Sequence, residues 1–171
     1  MWIFFLVFPV VLLAGSDFQL AYQYYKKGNY EKSLAISERY LKKHKSGDIH
    51  SDKLLYIYVT SETSLYRIDQ ALDNFVKNNK NSKMLSLSIY RTMERALVLG
   101  SYDTGAKWGE IFKRQAQKEV FYGKGLFLYS CILHSAKQNN KLKELIHYSL
   151  ALPIDSFSRK RILKIKNNHK F

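Results

Sequence analysis

Apolar positions recur at three- and four-residue spacings from Asp17 onward, with Leu20, Tyr24, Leu34 and Leu41 among the first. That spacing places side chains on one face of a helix, whereas strand-like alternation is scarce. Tyr56-Ile57-Tyr58-Val59 is β-prone locally but lies inside a longer helical pattern. The periodicity predicts helices over 17–27, 30–43, 51–66, 68–78, 82–99, 102–116, 119–136, 141–152 and 156–167. Gly28-Asn29, Ser46-Gly47-Asp48, residues 78–81, Gly100-Ser101 and Asn139-Asn140 supply the turns between them. Ser51 and Ser82 are placed to cap the helices they open. Short connections imply antiparallel neighbours.

Two prolines, Pro9 and Pro153, leave the long middle free of helix breakers. The chain of 171 residues is long enough for one domain with a core, and 46% apolar residues exclude a disordered chain. Thirteen tyrosines and ten phenylalanines supply much of the packing volume.

Met1 to Gly15 carries no charge, and its length suits the apolar region of a signal peptide. It is short for a bilayer span, which takes about 20 residues. The expectation is an exported protein of the periplasm or cell envelope, with residues 1–16 as signal peptide or N-terminal apolar segment. Leu13-Ala14-Gly15-Ser16 resembles a lipoprotein signal, but Ser16 stands where the lipidated cysteine would be. Lys, Asn, Tyr and Ile are plentiful, a composition of AT-rich bacterial genomes.

Leu20-Ala21-x-x-Tyr24 followed by Gly28-Asn29-Tyr30-Glu31-Lys32-Ser33-Leu34 resembles a tetratricopeptide (TPR) repeat. Gly100-Ser101-Tyr102-Asp103-Thr104-Gly105 repeats the turn, Ile68-Asp69-Gln70-Ala71 is a poorer copy, and the Asn139–Glu144 stretch is poorer still. The small-residue places fall at Ser33, Ala71, Gly105 and Glu144, with intervals of 38, 34 and 39 (differences of residue number). The family period is about 34 residues. The resemblance implies an all-α solenoid of about four antiparallel helix pairs over 17–155, closed by a capping helix at 156–171. It implies tyrosines wedged between the helices of a pair. It also implies a concave groove, lined by the first helix of each pair, that takes a protein segment. In that register Phe18, Tyr56, Tyr90 and Tyr129 form an aromatic ladder, and Tyr22 opens the adjacent row of Thr60, Glu94 and Leu133.

A net charge of +14 favours anionic partners. From Ser156 to Phe171 there are six Lys or Arg and no acid. Arg159, Lys160, Arg161, Lys164 and Lys166 therefore make a candidate anionic surface for lipid or an acidic partner, while Ile154, Phe157, Ile162 and Ile165 can share one side of the helix. Nucleic acid is the weakest of the anionic partners for an exported chain. No catalytic motif, His-x-x-x-His metal spacing or phosphate-binding loop occurs, so no enzyme activity and no cofactor are expected. Cys131, the one cysteine, lies in an apolar run and reads as a buried thiol. Gly123-Lys124-Gly125 reads as a loop. The expected function is an adaptor or scaffold that binds a protein segment. A membrane-surface protein acting through its basic C-terminal helix is the alternative.

Overall fold

The computed structural model describes residues 10–44, 50–77 and 82–169, with the side chains of 10–16 excepted. The described residues are all-α, without a strand. The helices are α1 (Val10–Lys26), α2 (Tyr30–Lys43), α3 (Ser51–Ser61), α4 (Leu65–Val76), α5 (Lys83–Val98), α6 (Tyr102–Gln115), α7 (Tyr122–Ser135), α8 (Asn139–Ala151) and α9 (Ser156–His169). Residues 1–9 of the expected signal segment lie outside the described residues. The remainder of that segment opens α1, which begins at Val10 rather than Asp17 and runs without a break to Lys26.

The chain divides into two compact units, 1–79 and 80–171. In the first, α1, α2 and α3 pack on one another and α4 packs on α3. Ala21, Tyr40, Leu54 and Ile57 form its buried cluster, with Phe18, Tyr25, Ile36 and Leu41 against it. In the second, α5, α6 and α7 make one mutual triple and α7, α8 and α9 another, with α7 common to both. The basic helix α9 is thus built into this unit, and its Ile162 is fully buried.

Three helices end in the same way. Gly28, Gly100 and Lys137 adopt left-handed backbone, at φ +74°, +70° and +56°. In each case the amide of the next residue donates to a carbonyl five residues back: Asn29 to Tyr24, Ser101 to Ala96 and Gln138 to Leu133. The left-handed residue itself donates three residues back, to Tyr25, Leu97 and His134. This pairing satisfies the last carbonyls of a helix, and glycine adopts the backbone without a side-chain clash. The following residue opens the next helix with nearly one geometry: φ/ψ −85°/71° at Asn29, −84°/63° at Ser101 and −84°/63° at Gln138.

These turns set the register of the pairs α1–α2, α5–α6 and α7–α8. Five residues beyond the left-handed residue stand Ser33, Gly105 and Leu142, all buried. Ser33 donates its hydroxyl to the Ala21 carbonyl at 2.8 Å, and a Cβ on Gly105 would meet Ile132 at 3.1 Å and Ala96 at 3.3 Å. Glu144, expected in the small-residue place, is exposed, and the buried residue at this register is Leu142. The turn lies at Lys137-Gln138, ahead of the polar Asn139-Asn140 run that marked it in sequence.

The α3–α4 connection has a different build. Thr60 donates back to the carbonyls of Tyr56 and Ile57, the chain turns extended at Glu62, and Ser64 accepts from the Arg67 amide at 3.4 Å. The buried Glu62 carboxylate accepts from the Ser64 amide at 2.8 Å. Hydroxyls that bond to local backbone favour helix ends over helix interiors, and α3 stops at Ser61 instead of Tyr66. Ser82 caps α5 through the Leu85 amide, whereas Ser51 is the first residue of α3 and His50 holds the cap position.

Gly123 and Gly125 are helical, in the first turns of α7, which corrects the expected loop. The Phe112 ring of α6 lies over Gly125, and the Tyr129 ring of α7 lies over Gly109 of α6, so each helix receives an aromatic ring where its neighbour has no side chain.

Candidate functional site

In the first unit, α1 brings Phe18 and Tyr22 one turn apart on one face. Their rings stack at 6.0 Å between centroids, and Phe18 also stacks on His50, ahead of α3, at 5.3 Å. Lys53 Nζ lies 5.2 Å from the Phe18 centroid and Lys26 Nζ 5.7 Å from that of Tyr22. Phe18 is half-buried against the core, while Tyr22 is 45% exposed. The patch offers flat apolar surface flanked by cations, which suits an apolar and acidic segment. Tyr56, farther along α3, is half-buried. In the adjacent row Thr60 is half-buried with its hydroxyl turned to backbone.

In the second unit, the residue ten positions before each left-handed turn is Tyr90 on α5 and Phe127 on α7, as it is Phe18 on α1. Phe18 and Tyr90 each meet the residue just before the next helix but one, whereas Phe127 meets a residue within α9. Tyr90 lies edge-on to Phe121, which immediately precedes α7, at 5.9 Å, and also touches Phe112 at 6.2 Å. Phe127 has the Arg161 guanidinium of α9 at 5.2 Å, and the same guanidinium lies 4.1 Å from the Phe157 ring. Burial raises the Tyr90 phenol above its ordinary pKa, with a further rise from Glu94.

The expected rung Tyr129 does not offer its ring. It is 1% exposed, under α6, and its hydroxyl donates to Glu110 Oε1 at 2.6 Å. Counted back from the left-handed Lys137, Phe127 rather than Tyr129 stands ten positions before the turn, and Cys131 rather than Leu133 stands six before it. Leu133 is buried. Cys131 is half-buried, and burial raises its thiol pKa against an opposing effect of Arg161.

Of the tyrosines expected to wedge between paired helices, Tyr30 is instead exposed and meets Tyr25 edge-on at 5.7 Å, while Tyr102 is half-buried.

Of the α9 cations, Arg159 donates to the Leu152 carbonyl at 2.8 Å and Arg161 is held by two rings. Lys160 and Lys164 are exposed one turn apart, and Lys166 is half-buried. Of the apolar residues grouped on one side, Ile162 is buried and Phe157 is 52% exposed. The fold also joins His134 of α7 to His169 of α9, Nδ1 to Nε2 at 2.6 Å, a pairing across 35 residues that local spacing does not reveal. Among the described residues no group of three metal-ligating side chains forms, and no helix is long and apolar enough to cross a membrane.

No protein-family model, curated protein or solved structure matches the chain.

Proposed function

We propose that the chain is a protein-binding helical-repeat module of TPR-like build, in which the first helix of each pair presents an aromatic and cationic face to a protein segment. One observation carries this reading. Phe18, Tyr90 and Phe127 hold one place relative to the left-handed turn; Phe18 and Tyr90 each meet the residue that precedes the next helix but one, and Phe127 meets Arg161 within α9. Repetition of one position on successive helical pairs is how a helical-repeat protein reuses one binding position from pair to pair. Lys26 and Lys53 beside the first rung, and Arg161 beside the third, favour a segment that combines apolar side chains with carboxylates. Export to the cell envelope belongs to the same proposal and rests on the uncharged run Met1–Gly15.

Photo-crosslinking in the native host tests the reading, with a benzophenone side chain placed at Tyr22 or at Phe127. A discrete protein adduct from both positions is the expected result.

A second reading, contact with an anionic membrane surface, is favoured by exposed Lys160 and Lys164 beside the exposed apolar Phe157 and Leu163 on α9.

A further inference from the structure

In the second unit α7 and α9 pack on each other, and two side-chain contacts mark the seam. Midway along α9, the Arg161 guanidinium lies 5.2 Å from the Phe127 ring. About two helical turns farther along both helices, His134 Nδ1 faces His169 Nε2 at 2.6 Å. The two imidazole rings stand at 87° to one another, with centroids 4.6 Å apart. His134 is exposed and His169, the last residue of α9, is half-buried, so solvent reaches the pair. In this contact one ring nitrogen carries the proton and the other offers its lone pair. Once the donor ring passes to its other tautomer through solvent, both facing nitrogens offer lone pairs, and the neutral pair loses no proton. Imidazole nitrogens bind a zinc ion at about 2.0–2.1 Å, so two of them on adjacent coordination positions stand about 3 Å apart. Opening the gap by about half an ångström takes only side-chain rotation at an exposed residue and a helix-terminal one.

We infer that His134 and His169 form a two-histidine site for a late divalent transition-metal ion, with water completing its coordination, and that the ion clips the end of α9 to α7. The donors select the class of metal. Imidazole suits zinc, copper and nickel, whereas magnesium and calcium take oxygen ligands. Neither α7 nor α9 contains an Asp or Glu, and the chain carries a net charge of +14. The site therefore has no general attraction for cations, and binding rests on the two nitrogens. Two protein ligands are fewer than the four of a closed structural zinc site, so the ion exchanges with solvent and its effect on stability follows its concentration. Bound, it joins two residues far apart in sequence and so restricts the unfolded chain, as any cross-link does. The same seam holds Arg161 beside Phe127, so the clip also steadies the surroundings of that ring.

The test titrates Zn(II) into the full chain, without an affinity tag, and follows the ring C–H signals of the histidines by NMR. The His134 and His169 signals should move together and saturate at one ion per chain, while those of exposed His44 and His147 stay in place. Loss of even an outer partner weakens metal sites by about 10–100-fold, so His134→Ala and His169→Ala should each weaken Zn(II) binding by about tenfold or more. His134→Gln should show the same loss while keeping a polar side chain at that position. Cys131→Ser, one turn earlier on α7, and His147→Ala should bind like the parent. Zn(II) should slow hydrogen exchange in the last turn of α9 and raise the thermal midpoint of the parent, and do neither in His169→Ala. Mg(II) should have no effect. The inference is overturned if the His134 and His169 signals do not move, if all the histidines shift alike, or if either alanine variant binds Zn(II) as the parent does. Loss of binding in Cys131→Ser would assign the ion to the thiol and overturn it too, as would equal shifts with Mg(II). The photo-crosslinking result at Tyr22 and Phe127 is independent of all these outcomes.

Discussion

Tyr129 of α7 donates its hydroxyl to Glu110 of α6 across 2.6 Å, with its ring lying over Gly109 one helical position away. Lys113 holds the other carboxylate oxygen at 3.0 Å. One residue therefore fills the α6–α7 contact twice, with a ring where the neighbour has no side chain and with a bond to a charge. Burial opposes ionisation of Glu110, but the bonds from Tyr129 and Lys113 outweigh it and keep the carboxyl below its ordinary pKa. Burial and Glu110 push the Tyr129 phenol above the ordinary tyrosine range.

Replacing Tyr129 separates these contributions. Tyr129→Phe keeps the ring and removes a bond to a charged acceptor, so unfolding free energy should fall by about 1.5–3 kcal/mol. Tyr129→Ala removes the ring as well and should cost about 3–5 kcal/mol. Chemical denaturation of the two variants measures both. Binding by the aromatic face should survive Tyr129→Phe.

Stability should also decline in alkali. Tyr122 and Tyr129 both hold their protons more tightly in the fold than in the unfolded chain, chiefly through burial. The stability they contribute is complete below about pH 10, the ordinary tyrosine value, and is lost as pH rises beyond it. Glu110 acts at the other end, contributing above its ordinary value of 4.5 and losing that contribution as pH falls below it. Denaturation midpoints followed from pH 3 to 11 should show both declines, and Tyr129→Phe should soften each.

The left-handed turns make a third prediction. Lys137 adopts at φ +56° a backbone that its two counterparts adopt as glycine. A side chain in that region costs about 1–2 kcal/mol, so Lys137→Gly should raise stability by about 1 kcal/mol. Gly28→Ala and Gly100→Ala should lower it by a similar amount. Open space around Gly28 assigns that loss to backbone conformation rather than to a clash. Thermal unfolding of the three variants checks the signs.

Basic helix α9 can be probed without removing it. Ile162 is fully buried, so deletion of 156–171 would unfold its unit and mask any surface role. Lys160→Glu with Lys164→Glu alters two exposed cations instead. On vesicles rich in anionic lipid, each cation near the surface contributes about 1 kcal/mol. If the membrane reading holds, the double reversal should reduce co-sedimentation by well over tenfold, and salt should reproduce the loss. Unchanged co-sedimentation would refute that reading.

Much of the architecture was legible in the residues. Helical spacing and scarce proline gave all-α structure, and Gly28 and Gly100 marked two turns of one kind because glycine adopts the left-handed backbone at least cost. The third turn was hidden, since Lys137 takes that backbone without the glycine that signals it, and the Asn139-Asn140 pair drew the boundary two residues too late. That offset is why Tyr129 rather than Phe127 was expected in the aromatic row. The α3–α4 break was hidden for another reason: Thr60, Glu62 and Ser64 end one helix and start the next by side-chain bonds to backbone, without glycine or proline. The pairing of His134 with His169 arises from tertiary packing, to which local periodicity is blind.

The central claim, an aromatic face that takes a protein segment, is tested most directly by photo-crosslinking in the host. The benzophenone residue is placed at Tyr22, Phe127, Ala35 or Glu144, the last two being exposed positions on α2 and α8. Tyr22 and Phe127 should give the same discrete protein adduct, weakened by Phe18→Ala, while Ala35 and Glu144 give none. Equal adducts from all four positions, or none from Tyr22 and Phe127, would contradict the account.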